Sequence, residues 1–315
     1  MAFKDPPVSF SVSLPAGISV FQRDWLSANN VFLHNAEQTV LIDSGYSTHA
    51  DMTLGLLGQA LRGRKLDLLV NTHLHSDHCG GNAAIQLAHP EVKTLIPPGQ
   101  FHEVSQWNSD ALTYGMTGQQ CPPFQVSGHL LDKQTCTWAG TNWQVYAAPG
   151  HDTHAMMFFC PEHRILISGD ALWEKGFGVI FPELDGVDAY CDAADTLDLI
   201  EQLSPSLVIP GHGNLFSDLD SALSFARSRL ASFRTHPDKH ARYASKVLVK
   251  FKLQEHGSIK LTPFADWAQT VPYLTGLHQQ LGPGSSFREW FEQLLGELSQ
   301  SGAMDMQGEL LINRP

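Results

Sequence analysis

The chain carries four potential metal ligands within six residues: His73, His75, Asp77 and His78, in the run Thr72-His-Leu-His-Ser-Asp-His-Cys-Gly-Gly81. Imidazole and carboxylate groups together suit zinc and its neighbours in the transition series. One ion can hardly take all four from so tight a loop, so the spacing suggests two neighbouring ions. The alternative is a polar, His-rich surface loop, and three distant motifs argue against it. Ala148-Pro-Gly-His151, Ser168-Gly-Asp170 and Ile209-Pro-Gly-His212 each add one ligand type beside a glycine. Each also follows a β-like run, so each ligand is presented at the end of a strand.

The elements that must position these side chains follow from the surrounding pattern. Residues 66–71 read as a short buried strand and residues 82–88 as a helix. Gly80 and Gly81 let the backbone turn sharply between them. The cluster therefore lies on a strand-to-helix loop, where side chains can converge. Further strands are expected over residues 8–13, 18–21, 30–34 and 39–42, the last two as a hairpin. A helix capped by Ser47 or Thr48 should run to about Leu61 and end at Gly63. Residues 126–131, 135–138, 143–148, 155–159 and 164–168 read as strands of a second sheet. Helices over residues 188–203 and from Ser217 onward carry Tyr190, Ala193, Leu197, Leu223, Ala226 and Leu230 at helical spacing, as covers for one outer face.

In this order the residues resemble the metallo-β-lactamase fold superfamily, over residues 8–235. The resemblance rests on five motifs: Asp43 in Leu41-Ile-Asp-Ser-Gly45, the His-x-His-x-Asp-His cluster, His151, Asp170 and His212. It implies an α/β fold, a four-layer αββα sandwich with the metals at one edge of the two sheets. It implies that His73, His75 and His151 hold a first ion and that Asp77, His78 and His212 hold a second, with Asp170 bridging. Asp43 would orient ligands rather than bind metal. The cofactor would be two divalent ions, zinc first, with iron or manganese as alternatives.

Two ions roughly 3.5–4 Å apart can share one water and lower its pKa to near neutral, giving a hydroxide that attacks a carbonyl or a phosphorus. By the same resemblance Asp77 is both ligand and proton acceptor, and so the catalytic residue. A thiolate or carboxylate leaves with little protonation, whereas the alkoxide of a phosphodiester usually needs an acid. His154 is the extra histidine in a ligand motif, either that acid or a structural residue. The favoured reading is a metal-dependent hydrolase of a small acyl compound, a thioester first, as in glyoxalase II-like enzymes. The alternatives are an endoribonuclease or phosphodiesterase, a lactonase and, outside enzymes, a non-catalytic metal-binding interaction protein.

Composition narrows the setting. The 315 residues are 43% hydrophobic and 17% charged, as in an ordinary soluble globular protein. No run approaches 18 apolar residues, so no transmembrane helix is expected. The start, Met1-Ala-Phe-Lys-Asp-Pro-Pro7, lacks a signal-peptide pattern. Five scattered cysteines without a CxxC spacing favour reduced thiols, hence a cytoplasmic protein. Cys79, beside the cluster, reads as a small buried residue or a ligand. Residues 238–315 hold 8 basic and 8 acidic side chains, so the whole net charge of −12 falls on residues 1–237. Such a body repels nucleic acid, although bound divalent ions would offset part of the charge at the site.

Two further stretches bear on the substrate. Residues 97–128, irregular and rich in proline and aromatics, form either a lid or substrate wall or an insertion packing on its own scaffold. Residues 171–184 leave a ligand directly, so Trp173, Phe177 and Phe181 either line an apolar pocket or belong to the core. Thr235-His-Pro-Asp238 marks a boundary between a catalytic domain, 1–237, and a C-terminal domain, 238–315. The latter should hold helices over 240–254 and 262–269, a helix opened by the capping box Ser286-Phe-Arg-Glu289 and stopped by Gly302, and a hairpin over 304–312. That order resembles a winged-helix module, as in the β-lactamase-like subgroup that includes endoribonucleases. With Arg288 alone as a basic residue, its helix is a poor reader of a DNA groove, which favours packing or homodimerisation. The helix bearing Lys239, Arg242, Lys246, Lys250 and Lys252 could hold an anionic carrier such as glutathione or coenzyme A. The expected partner is thus a small-molecule substrate, with no membrane contact.

Overall fold

Strands buried on both faces need apolar residues at nearly every position rather than alternation. Thr39–Ile42 (Thr-Val-Leu-Ile), Met156–Cys160 (Met-Met-Phe-Phe-Cys) and Ile165–Gly169 satisfy this, with every residue buried. The structure, a computed structural model, describes residues 13–109 and 111–314. The strand expected over residues 8–13 lies, but for Ser13, outside them.

One sheet runs in the order β1 (Ile18–Phe21), β2 (Asn30–His34), β3 (Thr39–Ile42), β4 (Leu68–Val70), β5 (Lys93–Ile96) and β6 (Gly128–His129). Its first three strands pair antiparallel and the rest parallel. The second sheet uses β7 (Thr135–Trp138), β8 (Thr141–Ala147), β9 (Met156–Cys160), β10 (Ile165–Gly169) and β11 (Leu207–Pro210), with only β10 and β11 parallel.

Side chains alternate across each strand, and this sorts the core into layers. Val31, Leu33, Val40, Ile42 and Val70 face Val145, Phe158 and Ile167 between the sheets. The residues between them, Phe32, Leu41 and Leu69, turn outward against helices α1 (Ala50–Leu61) and α3 (Asn82–Ala88), the four-residue helix α2 (Ser76–Cys79) lying before the latter. Beyond α4 (Phe101–Gln106), α5 (Tyr114–Thr117) and α6 (Phe181–Leu184), the helices α7 (Tyr190–Leu203) and α8 (Leu219–Thr235) cover Met157, Phe159, Leu166 and Val208 of the second sheet. The result is the αββα sandwich.

Several local expectations change. Residues 126–131 do not join the second sheet. Only Gly128–His129 is strand, and it pairs with β5 of the first sheet, whose edge is open to it. Neither Ser47 nor Thr48 caps α1; both lie in a 3-10 turn before it, and the chain leaves α1 through Arg62 at φ 51°, one residue before Gly63.

Pro237 opens α9 (Pro237–His256), and His236 before it is forced out of helical geometry, at φ −135° and ψ 77°. Then come β12 (Ser258–Lys260), α10 (Leu261–Thr270), α11 (Pro272–Leu281), α12 (Phe287–Gln300), β13 (Met304–Gln307) and β14 (Leu310–Asn313). Both capping-box bonds of Ser286 and Glu289 form. The region has one helix more than expected, α11, and β12 adds a third strand to the hairpin. Its core of Leu248, Phe264, Trp290 and Leu294 also receives Val179 and Phe181 from the segment after Asp170. No helix among the described residues is long and apolar enough to cross a membrane.

Candidate metal centre

Parallel neighbours end at the same edge of a sheet, which gathers the ligands. Asp43 follows β3 and the histidine cluster follows β4, while Asp170 and His212 follow β10 and β11. The sheets are tied at this edge where Met156 N donates to the Thr72 carbonyl at 2.8 Å. Glycine is required in the last turn: a Cβ on Gly211 would stand 2.2 Å from Asp170 Oδ1.

The seven expected ligands converge as two groups, His73, His75 and His151, and Asp77, His78, Asp170 and His212, with the ligand atoms of each group within 4.8 Å of one another. In the first, His75 Nδ1 lies 2.7 Å from His151 Nε2 and 3.1 Å from His73 Nε2, and the last two are 3.3 Å apart. The second nitrogen of His151 donates to the Val179 carbonyl, which can only accept. Its Nε2 therefore presents a lone pair to the other rings. Three ring nitrogens this close, one of them fixed as an acceptor, can turn toward a shared cation, and that fits a metal. Burial, then the neighbouring imidazoles, hold His73 well below the ordinary histidine value, and burial and His75 bring His151 to about 4. Both rings stay neutral, the form that binds metal.

In the second group Asp77 Oδ2 is 3.0 Å from His212 Nε2, and His78 Nε2 is 3.3 Å from Asp170 Oδ1. The other carboxylate oxygen of Asp170 is 3.5 Å from His151 Nε2 and 3.8 Å from His212 Nε2, so Asp170 stands between the groups. His78 Nδ1 is held by Asp43 at 2.8 Å, while its buried Nε2 has no hydrogen-bond partner. A buried nitrogen without a hydrogen-bond partner, beside carboxylates, fits a metal ligand. Burial opposes ionisation of Asp170 and Asp77, but His212 and His78 outweigh it and hold both carboxyls low. Burial likewise opposes charge on His78, and Asp170 and Asp43 overcome it and raise its pKa.

Some contacts carry no sequence signal. Trp25 stacks on His212 with ring centroids 5.4 Å apart and planes at 7°. Asp152 Oδ2 lies 3.6 Å from His75 Nε2; its place next to His151 is the one available hint. Of the aromatics after Asp170, Trp173 and Phe181 line the cavity beside the ligands, and Trp173 Nε1 also donates to Asp170 Oδ1 at 3.1 Å. Phe177 does not; it is core, packed against Phe233. His154 packs over Gly99, outside that cavity. Cys79 is buried against Tyr114, outside both ligand groups. Thr113, Tyr114, Thr117 and Gln119 make residues 97–128 a wall of the cavity, pinned where Ser76 Oγ donates to Gln119 Oε1 and Tyr114 Oη to the Leu74 carbonyl.

The profile of the Metallo-beta-lactamase superfamily matches residues 23–212. The chain belongs to that superfamily. Among curated relatives of this superfamily member, the Beta-lactamase-like protein 2 homolog of Drosophila melanogaster is 27% identical over 197 residues, spanning 60% of each chain. A hydroxyacylglutathione hydrolase of Crocosphaera subtropica is 25% identical across 80% of this chain and 91% of its own. The acyl-coenzyme A thioesterase MBLAC2 of Gallus gallus is 25% identical across 64% and 80%. A solved metallo-beta-lactamase family protein from Thermus thermophilus shares the fold over 96% of this chain and 100% of its own, with a TM-score of 0.55 at 20% identity. Another neighbour, solved in a di-iron-bound form, covers 66% of this chain and 98% of its own, with a TM-score of 0.53 at 24% identity.

Proposed function

We propose that this superfamily member is a dinuclear-metal hydrolase of small acyl compounds, thioesters first. The observation that carries the reading is the adjacency of two ligand groups with Asp170 between them, both facing one cavity. His73, His75 and His151 would hold one ion, Asp77, His78 and His212 the other, and Asp170 would bridge them. Zinc is the ion proposed, with iron second because one structural neighbour carries a di-iron centre. When bound, the ions supply an acidified water and an electrophile for the acyl oxygen.

The remaining work falls to the chain. Asp77 lines the cavity and keeps its carboxyl ionised beside His212, so we assign it the water's proton. Trp173 and Asp43 hold Asp170 and His78 in place from behind. A thiolate needs no acid to depart. That suits a site whose candidate acid, His154, packs away from the cavity. Two relatives named for acyl hydrolysis, the hydroxyacylglutathione hydrolase and the acyl-coenzyme A thioesterase, support the same substrate class. We further propose residues 1–237 as the catalytic domain and residues 238–315 as a winged-helix-like domain that closes the cavity.

The test is turnover by metal-reconstituted protein of thioesters, lactones and single-stranded RNA, beside a chelator-treated control. Thioester hydrolysis lost on chelation is the expected result. RNA cleavage with inert thioesters would overturn the substrate class, and activity indifferent to chelation would overturn the mechanism.

A further inference from the structure

The cavity beside the ligands measures about 430 Å³, a size typical of small-molecule sites. One part of its wall is His75, Asp77, His151, Asp170 and His212; much of the rest is Phe181, Val247, Leu248, Phe251 and Leu298. Lys246 and Lys250 also line it, but neither presents a free charge. Lys250 Nζ donates to Ala303 O at 2.7 Å, to Asn313 Oδ1 at 2.6 Å and to the Arg314 carbonyl. Lys246 pairs with Glu297 at 3.4 Å. Arg242 is engaged by the same Glu297, and Lys252 by Glu255. The lysines thus offer the cavity their methylene stems while their ammonium groups are held elsewhere. Four of the five basic side chains of α9 are thus engaged within the protein.

We infer that this cavity takes the acyl chain of the substrate, and that the chain is an apolar alkyl group. The inference rests on the thioester reading. A thioester carbonyl placed at the ligands has two arms, the acyl chain and the thiol carrier. Ser76, Thr113, Thr117, Gln119 and Gln254 put some polar groups on the wall, but glutathione brings charged carboxylates and coenzyme A an arm of amides, and the apolar remainder of the wall leaves most of these groups unpaired. An alkyl chain meets no such cost, so it is the arm that enters. The carrier stays outside. Water adds to the carbonyl carbon, the C–S bond breaks as the C–O bond forms, and the products are a carboxylic acid and a thiol.

The experiment compares straight-chain N-acetylcysteamine thioesters, acetyl to dodecanoyl, on the metal-reconstituted full chain, so that the leaving group is constant. Alongside, calorimetry measures binding of octanamide and acetamide. The expected result is a kcat/KM that rises about threefold to fourfold per methylene until the cavity is full, with octanamide binding and acetamide not. Val247→Trp should compress the octanoyl-to-acetyl ratio at least tenfold and weaken octanamide. Phe251→Ala should move the optimum to longer chains, and it carries the test if the tryptophan variant does not fold. Acetyl turnover with no chain-length dependence overturns the inference and leaves the proposed hydrolase standing. Octanamide binding weakened by Val247→Trp, with no thioester turned over, supports the apolar site and sinks the thioester reading. Neither binding nor turnover overturns both.

Discussion

Asp43 and His78 form a buried pair, with Oδ2 2.8 Å from Nδ1 and side chains 3% and 0% exposed. Asp43 sits at φ 60°, in the left-handed region where aspartate and asparagine are among the few residues tolerated. That bend, straight after β3, brings the carboxylate under the ligand loop. There it also accepts from Thr72 N at 2.9 Å and Thr72 Oγ1 at 2.8 Å. One side chain thus pins the loop backbone and leaves the far nitrogen of His78 free for a metal.

Asp43→Asn tests this pairing. Asparagine keeps the shape and the backbone conformation but removes the charge that supports the imidazole. Metal affinity should fall about 10–100-fold, the usual cost of losing a group that orients a ligand. Competition against a chromogenic chelator reads it directly, and unchanged affinity would remove Asp43 from this role.

Asp170→Ala and His75→Ala should each abolish turnover while the far-ultraviolet circular dichroism keeps its wild-type shape. Asp170 touches both groups and His75 belongs to one, so the two variants probe the centre from different sides. Near-normal hydrolysis in either protein refutes the assignment of the site.

The candidate ligands stand out in the sequence because their motifs follow strands and contain glycine, and parallel strands bring such positions to one edge. That the strands are covered on both faces is legible in their near-continuous apolar runs, but which face Phe32 and Leu41 take, and which Val31, Leu33, Val40 and Ile42, is decided by packing. What is not legible comes from elsewhere in the chain. The Val179 carbonyl that sets the His151 tautomer carries no side-chain signal, and Trp25 against His212 is a lone aromatic 187 positions away in a segment without periodicity. β5 opens on exposed Lys93 and is only four residues long, so its pattern is too brief to separate from loop. The sheet to which β6 belongs is hidden for a related reason: a two-residue strand has no alternation, and only its partner β5 decides where it goes. Phe177 and Phe181 are alike in sequence, and packing alone sends one to the core and the other to the cavity.

His240 gives a pH dependence outside the ligand set. It is 2% exposed, and its Nε2 accepts from Ile180 N at 3.1 Å, so the native ring is neutral. Burial first, then Arg229, lowers its pKa to about 4. An unfolded chain, with an ordinary histidine near 6.5, binds the proton first as pH falls. Stability is therefore full above about pH 6.5 and is lost progressively down to about pH 4, by up to about 3 kcal/mol from this group. His240→Gln keeps an acceptor for Ile180 without titrating. Urea unfolding across pH 4–7 should show a shallower acid loss in the variant than in the wild type; parallel curves would contradict the account.

Asp152 makes the last prediction. Its Oδ1 accepts from His154 N at 2.7 Å, which fixes the carboxylate, and its Oδ2 then faces His75 Nε2 at 3.6 Å. The ring nitrogen that faces the other histidines is Nδ1, so Asp152 faces His75 from behind, at ion-pair distance rather than in the hydrogen bond that joins Asp43 to His78. Asp152→Asn should lower metal affinity about tenfold, lower kcat and leave KM for a thioester nearly unchanged. The metal-free protein should melt within a degree or two of wild type, because the pair is not part of the hydrophobic core. A fall in metal-free melting temperature with unchanged metal affinity would instead mark Asp152 as a fold-stabilising residue with no part in positioning the ligand.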